Sequence, residues 1–311
     1  MMFPGQGSQS VGMLAAFAAV EPLVGATFAE ASAALGFDLW QLCREGPEER
    51  LAETEVTQPA MLTAGVATWR VWRQRGGAMP ARMAGHSLGE YTALVCAEAI
   101  EFGAAIALVR ERGRLMQQAV PAGAGAMAAI LGLGDAEVEA ACAEAAGDEV
   151  VEAVNYNAPG QLVIAGHSGA IQRAIGLCRA RGARRAVLLP VSAPCHSRLM
   201  QPAADSLRQR LAALPVRAPR VPVHSFDAAV YDGPEAIRSG LYWQLFRPVR
   251  WAAIVTAMLQ AGAGVLVECG PGKVLAGLAR RIPGGRNAAV HALEDPESLD
   301  AARSAAGGTG A

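Results

Sequence analysis

The sequence lacks an excess of charge of either sign: 27 Lys plus Arg stand against 28 Asp plus Glu, a net charge of −1 over 311 residues. Basic residues gather only in Arg179-Ala180-Arg181-Gly182-Ala183-Arg184-Arg185. Nucleic acid, bound by neutralising rows of phosphates, is therefore not the expected main partner. Cys-x-x-Cys pairs and metal-ligand spacings are also missing. The six cysteines, at positions 43, 96, 142, 178, 195 and 269, are dispersed in the manner of reduced cytosolic thiols. No basic segment followed by an apolar run opens the chain, and charges or helix breakers interrupt the Ala-rich stretches before membrane-spanning length. The expectation is a soluble cytoplasmic protein without a bound metal.

What is present is core-forming material: 52% of residues are hydrophobic, with 35 Gly and 18 Pro, which supports one or two folded domains. Within this background Gly85-His86-Ser87-Leu88-Gly89-Glu90-Tyr91 contains a G-x-S-x-G run, preceded by short apolar residues and followed by a helix-compatible segment. The pattern reads as a nucleophile elbow, a tight strand-to-helix turn that exposes a serine hydroxyl above a sheet. A glycine-rich structural turn is the bland alternative. The next backbone N–H and the helix N-terminus would face a developing oxyanion.

Ahead of the elbow, Phe3-Pro4-Gly5-Gln6-Gly7-Ser8-Gln9 suggests a tight loop exposing backbone N–H groups. The periodicity from Val11 to Leu35 predicts one or two helices broken near Pro22. A short helix is expected from Phe37 to Leu42, and a buried one following Thr57-Gln58-Pro59 and ended by Gly76-Gly77. Ala81 to Gly85 supplies the strand into the elbow. Glu101 to Gln118 is strongly amphipathic and carries Arg112, whose guanidinium would grip a substrate carboxylate if the helix crosses beneath the elbow. A solvated helix face is the ordinary reading of such an arginine.

After the Pro/Gly/Ala linker of residues 119–125 the pattern becomes β-α-β-β-α-β. The strands are expected at 126–131, 150–155, 161–165 and 186–189. The helices are expected at 135–146, capped by Asp135, and at 168–181. This order matches a split βαβ unit, a small antiparallel sheet covered on one face by two helices. Asn155, Asn157 and Gln161 flank its Pro-Gly turn, and either face the elbow across a cleft or satisfy the hairpin.

The chain then returns through Pro190-Val191-Ser192-Ala193-Pro194-Cys195-His196-Ser197 to a helix at 199–214. His196 is the best base candidate. Cys195 is rejected as nucleophile because adjacent side chains diverge, whereas a base must come to about 3 Å from its nucleophile. Strands at 221–225, 265–268 and 288–293 and helices at 234–245 and 251–261 complete the pattern. Gly270-Pro271-Gly272-Lys273 lacks the Walker spacing and reads as a strand-to-helix turn. Residues 295–311 are polar and Ala/Gly-rich, and are expected to fray.

Taken together, the Gly5-to-Gln9 loop, the elbow, Arg112, the Asn155-to-His167 run, the Ser192-to-His196 loop and Glu268-Cys269-Gly270-Pro271-Gly272-Lys273 resemble the malonyl-coenzyme A:acyl carrier protein transacylases of bacterial type II fatty acid synthesis. The resemblance covers nearly the whole chain with its motifs collinear. It implies an α/β fold, with an α/β-hydrolase-like large domain in residues 1–119 and 191–311 and an inserted ferredoxin-like small domain in residues 120–190. It implies Ser87 as the acyl-accepting nucleophile and His196 as general base, oriented by the backbone carbonyl of Gln244. Backbone N–H groups of Gln6 and Leu88 would form the oxyanion hole, and Arg112 would hold the malonyl carboxylate. No bound cofactor is implied. Malonyl-coenzyme A is the substrate, acyl carrier protein with its phosphopantetheine is the partner, and a monomer is expected.

Departures from the resemblance are the absence of the usual hydrophobic strand length ahead of the Gly-Gln-Gly loop, so that a core strand is expected to be shortened or missing, and His224-Ser225-Phe226-Asp227 in place of an asparagine-containing turn. The competing readings are a serine thioesterase or carboxylesterase, an acyltransferase of a polyketide pathway, and a non-catalytic carrier-docking module that would use the Arg179-to-Arg185 run.

Overall fold

Two sheets of opposite character divide the strands. The computed structural model describes residues 1–191 and 193–307; Ser192 of the histidine loop and residues 308–311 lie outside the described residues. In chain order the strands are β1 (Met2–Phe3), β2 (Met83–Gly85), β3 (Gly125–Leu131), β4 (Val151–Ala158), β5 (Gln161–His167), β6 (Arg185–Leu188), β7 (Val223–His224), β8 (Val265–Glu268) and β9 (Ala289–Ala292). The larger sheet runs β7-β2-β1-β8-β9, with every neighbouring pair parallel. Its strands are short and mostly buried, as expected where helices cover both faces. The smaller sheet runs β4-β5-β3-β6, with every pair antiparallel, which is the ferredoxin-like order.

Each sheet has a core of its own. Ala128, Ile130, Leu162 and Ile164 of the small sheet pack on Val138, Ala141, Ile171 and Ala174 of the Asp135–Ala146 and Ser168–Ala180 helices. The larger unit buries Phe3, Phe17, Phe28, Trp72 and Tyr91 almost completely. Each such side chain contributes roughly 1.5–3 kcal/mol relative to exposure, before entropic costs. The two units also meet through backbone. Val249 N–H donates to Val154 C=O at 2.9 Å and Tyr156 N–H to Val249 C=O at 3.0 Å, so the 247–250 segment extends the β4 edge.

The first strand is shortened, one of the two outcomes expected, and not missing: Met2 and Phe3 pair with Ala84 and Gly85 on one side, and Met2 pairs with Glu268 on the other, at the centre of the large sheet. Two residues suffice because both neighbours contribute hydrogen bonds and both side chains are fully buried. Other expectations need correcting. The helix expected to start around Pro59 instead begins at Thr54 and runs to Gln74 with Pro59 inside it. Pro59 is the sixth residue of this helix and forgoes one i→i−4 hydrogen bond, and the packing of the buried residues around it carries that cost. The 135–146 helix is capped not by Asp135 but by Gly134, whose N–H donates to Glu137 at 3.1 Å. Within the tail expected to fray, Pro296–Gly307 is instead a helix that buries Leu299 and Ala302, and the remainder of that expectation, residues 308–311, lies outside the described residues. At the His224 turn, Nδ1 is 3.0 Å from Ala228 O, while Ser225 donates to Asp227 at 2.5 Å, so these residues satisfy the bend locally. Among the described residues no helix is long and apolar enough to cross a membrane, and no cluster of His, Cys, Asp or Glu has a metal-binding arrangement.

Candidate active site

Ser87 sits where β2 turns into the Gly89–Cys96 helix, with φ at 53°. That left-handed backbone is costly for a residue with a side chain, and it is held by what surrounds it. A Cβ on Gly85 would lie 1.8 Å from the Gly89 carbonyl carbon, and one on Gly89 would lie 2.0 Å from Phe3 O. The glycines are thus required for the strand, the turn and the first loop to approach one another. Gly5 brings that loop against the elbow, since a Cβ there would meet His86 O at 2.4 Å.

His196, also at positive φ (65°), places Nε2 2.7 Å from Ser87 Oγ. Its Nδ1 lies 2.7 Å from the Gln244 backbone oxygen. A carbonyl only accepts, so Nδ1 carries the proton and Nε2 is left to receive the serine's. Burial, followed by the Arg112 charge, pushes His196 down to about 3. The resting imidazole is therefore neutral and competent as a base at neutral pH.

Arg112 is 1% exposed on the Phe102–Gln118 helix. The next residue, Gly113, allows that helix to press on the Thr54–Gln74 helix: a Cβ there would lie 2.6 Å from Thr54 O. The guanidinium donates to Gln58 Oε1 and Gln244 Oε1, each at 2.9 Å, and reaches Ser87 Oγ at a long 3.5 Å. It also lies 5.3 Å from the Tyr91 ring centroid, and its Nε has no partner among the described residues. All these hydrogen-bond partners are neutral. A buried cation so placed is suited to a carboxylate arriving from solution.

The Gln6 and Leu88 backbone N–H groups flank the same cleft, and neither is committed to a hydrogen bond among the described residues. The cleft, about 210 Å³, is closed on the far side by the small domain through Asn155, Asn157, Gln161 and Val163. Asn157 Oδ1 accepts from His86 Nε2 at 2.8 Å, joining the two units beside the nucleophile. Asn155 Nδ2 is buried without a partner among the described residues, and Gln161 accepts from Arg281. A larger hollow lined by Trp69, Arg70, Arg73, Phe102 and Arg217 contains none of these groups.

A family model described as "Acyl transferase domain" matches residues 1–290. The malonyl CoA-acyl carrier protein transacylase of Escherichia coli K12 is 55% identical over 302 residues, 97% of each chain. The chain belongs to the malonyl-CoA:acyl carrier protein transacylase family. The transacylase of Bacillus subtilis is 41% identical over 304 residues, covering 97% of this chain and 95% of that one. Among solved structures, an acyl carrier protein S-malonyltransferase from Vibrio cholerae superposes with a TM-score of 0.94 at 54% identity, covering 96% of this chain and 98% of that one. A malonyl-transacylase solved in complex with its type II polyketide synthase acyl carrier protein gives 0.96 at 50% identity, covering 98% of each chain.

Within this transacylase, sequence reasoning overlooked three buried polar residues. Gln58 was hidden by Pro59, which looked like a helix start and so placed Gln58 outside the helix. Glu90, fully buried, accepts from Gln244 Nε2 at 2.6 Å and from Tyr231 O–H. Burial pushes its carboxyl up to about 7, against the pull of those two donors and of Arg112. The signal for Glu90 was its place one residue beyond the elbow glycine. Tyr231 had no local signal, since only the fold brings it there.

Proposed function

We propose that the protein transfers the malonyl group from malonyl-coenzyme A to the phosphopantetheine thiol of acyl carrier protein, through a malonyl ester on Ser87. The 2.7 Å contact between Ser87 Oγ and a neutral, backbone-oriented His196 carries this reading, in a chain with transacylase relatives over nearly its full length. Ser87 Oγ attacks the thioester carbonyl while His196 Nε2 takes its proton. The Gln6 and Leu88 N–H groups receive the oxyanion. On collapse the C–S bond breaks, and His196 returns the proton to the leaving coenzyme A thiolate. In the second half-reaction the carrier thiol gives its proton to His196 and attacks the Ser87 ester, and the proton returns to Ser87 Oγ. Arg112 holds the malonyl carboxylate, and Asn155, Asn157 and Gln161 line the path of the acyl donor.

In this reading residues 1–119 and 191–311 form the catalytic unit, residues 120–190 the inserted cover of the cleft, and the enzyme acts in the cytoplasm as a monomer. A transferase rather than an esterase is favoured because the polar arm beside Ser87 is a buried cation whose hydrogen-bond partners are all neutral, matched to a carboxylated acyl group. Incubation with malonyl-coenzyme A should add one malonyl mass to the Ser87 peptide, and Ser87→Ala should abolish it. Folded wild-type protein that never gains the adduct contradicts the assignment.

A further inference from the structure

A carboxylate with no exposure is costly unless its oxygens are satisfied, and an apolar residue would fill most such positions more cheaply. Glu90 is satisfied, and by a particular pair of donors. One oxygen accepts from Tyr231 O–H and the other from Gln244 Nε2. The same Gln244 nitrogen donates to Ser87 C=O at 2.9 Å, while Gln244 Oε1 accepts from Arg112 at 2.9 Å. The backbone carbonyl of that residue receives His196 Nδ1–H. One glutamine therefore touches the nucleophile's backbone, the base and the carboxylate grip, and Glu90, with Ser87 C=O, is one of the two acceptors that hold its amide nitrogen away from Arg112.

We propose that Glu90 is a positioning residue for malonyl selectivity: it fixes the Gln244 carboxamide with its oxygen toward Arg112, and remains one amide removed from that cation. The spacing serves recognition. A carboxylate in direct contact with Arg112 would occupy the site that the malonyl group needs, and each substrate would have to displace it. Held behind Gln244, Glu90 orders the guanidinium through a neutral acceptor and leaves its unpaired Nε and remaining edge free of an ionic partner among the described residues.

Replacing the carboxylate by an amide leaves one acceptor oxygen where the two donors need two. In Glu90→Gln, either the introduced amide turns a donor toward Tyr231, which must then accept, or the Gln244 amide flips and presents Nε2 to Arg112, donor against donor.

The test rests on the malonyl-serine reading, so the wild-type Ser87 adduct is measured first; its absence defeats that reading and leaves Glu90 without a role to position. With the adduct established, kcat and KM are determined at about pH 8.5, where a carboxyl held near 7 is ionised, for malonyl- and acetyl-coenzyme A in wild type and Glu90→Gln. The malonyl-over-acetyl ratio of kcat/KM should fall about tenfold in Glu90→Gln, carried mainly by the malonyl KM, as expected for one weakened charge-assisted contact. Equal losses for the two donors, or an unchanged ratio, overturn the proposal, because a purely structural carboxylate would not distinguish them. If Glu90→Gln does not fold, Tyr231→Phe decides: it removes one of the two anchors of Glu90 and should lower the ratio about two- to fivefold, and an unchanged ratio overturns the proposal.

Discussion

Ser87 and His196 both stand in left-handed backbone conformations, at φ of 53° and 65°. Two side-chain-bearing residues in that region, facing each other at 2.7 Å, represent strain stored where the chemistry needs fixed geometry. Because burial and then Arg112 hold the imidazole down to about 3, loss of activity should not follow the ordinary histidine titration. The sign is that of a base whose pKa is lowered: it remains unprotonated as pH falls through about 6.5. Acylation kcat/KM with acetyl-coenzyme A, which does not engage the carboxylate grip, should therefore stay level from about pH 8 to about pH 5.5. A one-proton acid limb centred near 6.5 would show an unperturbed histidine instead. Arg112→Ala should reduce transfer of malonyl relative to acetyl by roughly 10- to 100-fold, the worth of a buried charge-assisted pair. Equal losses of the two activities would remove Arg112 from selectivity.

The elbow is an element built from absences of side chain. Gly89→Ala would drive a Cβ to 2.0 Å from Phe3 O, which cannot move without breaking the pairing of β1 with β2. The expected loss is about 1–3 kcal/mol or more of stability, read as a lowered denaturation midpoint, together with loss of Ser87 acylation. An Ala variant of wild-type stability would mean that the turn is looser than a 2.0 Å approach to Phe3 O implies.

At this scale much was legible. The G-x-S-x-G run, the β-α-β-β-α-β order of the insert and the amphipathic Phe102–Gln118 helix each announce themselves in the local sequence. What was not legible depends on distance. Met2–Phe3 is too short to show a pattern, and becomes a strand only because β2 and β8 lie on either side. Pro59 carried a helix-start signal that tertiary packing overrode. Leu299 and Ala302 look like part of a polar tail until the surface they cover is present.

The whole molecule adds the second wall of the cleft. The small domain is joined to the large one beside the nucleophile by the His86–Asn157 hydrogen bond and behind it by the Val249 backbone pair. Asn157→Ala would take from His86 Nε2, part-buried at the cleft, its side-chain partner, costing about 0.5–1.5 kcal/mol. It should raise KM for the acyl donor more than it changes kcat, and an unchanged KM would deny the small domain a part in shaping the cleft. The basic run that a docking module would use is partly committed elsewhere: Arg179 donates to Ala186 C=O, and Arg181 pairs with Glu144 and donates to Glu137 C=O. Gln58, Glu90, Tyr231, Arg112 and Gln244 come from five separate segments, so their convergence is a property of the assembled fold.

The most direct test of that assembly is the fate of the malonyl-enzyme. Purified enzyme loaded with malonyl on Ser87 and freed of coenzyme A is mixed either with holo acyl carrier protein or with buffer alone, and the Ser87 adduct is followed by intact mass. Transfer to the carrier thiol, with the ester lost far faster than by hydrolysis in buffer, is the predicted result; loss at the same rate with and without carrier would make the protein a hydrolase and contradict the account.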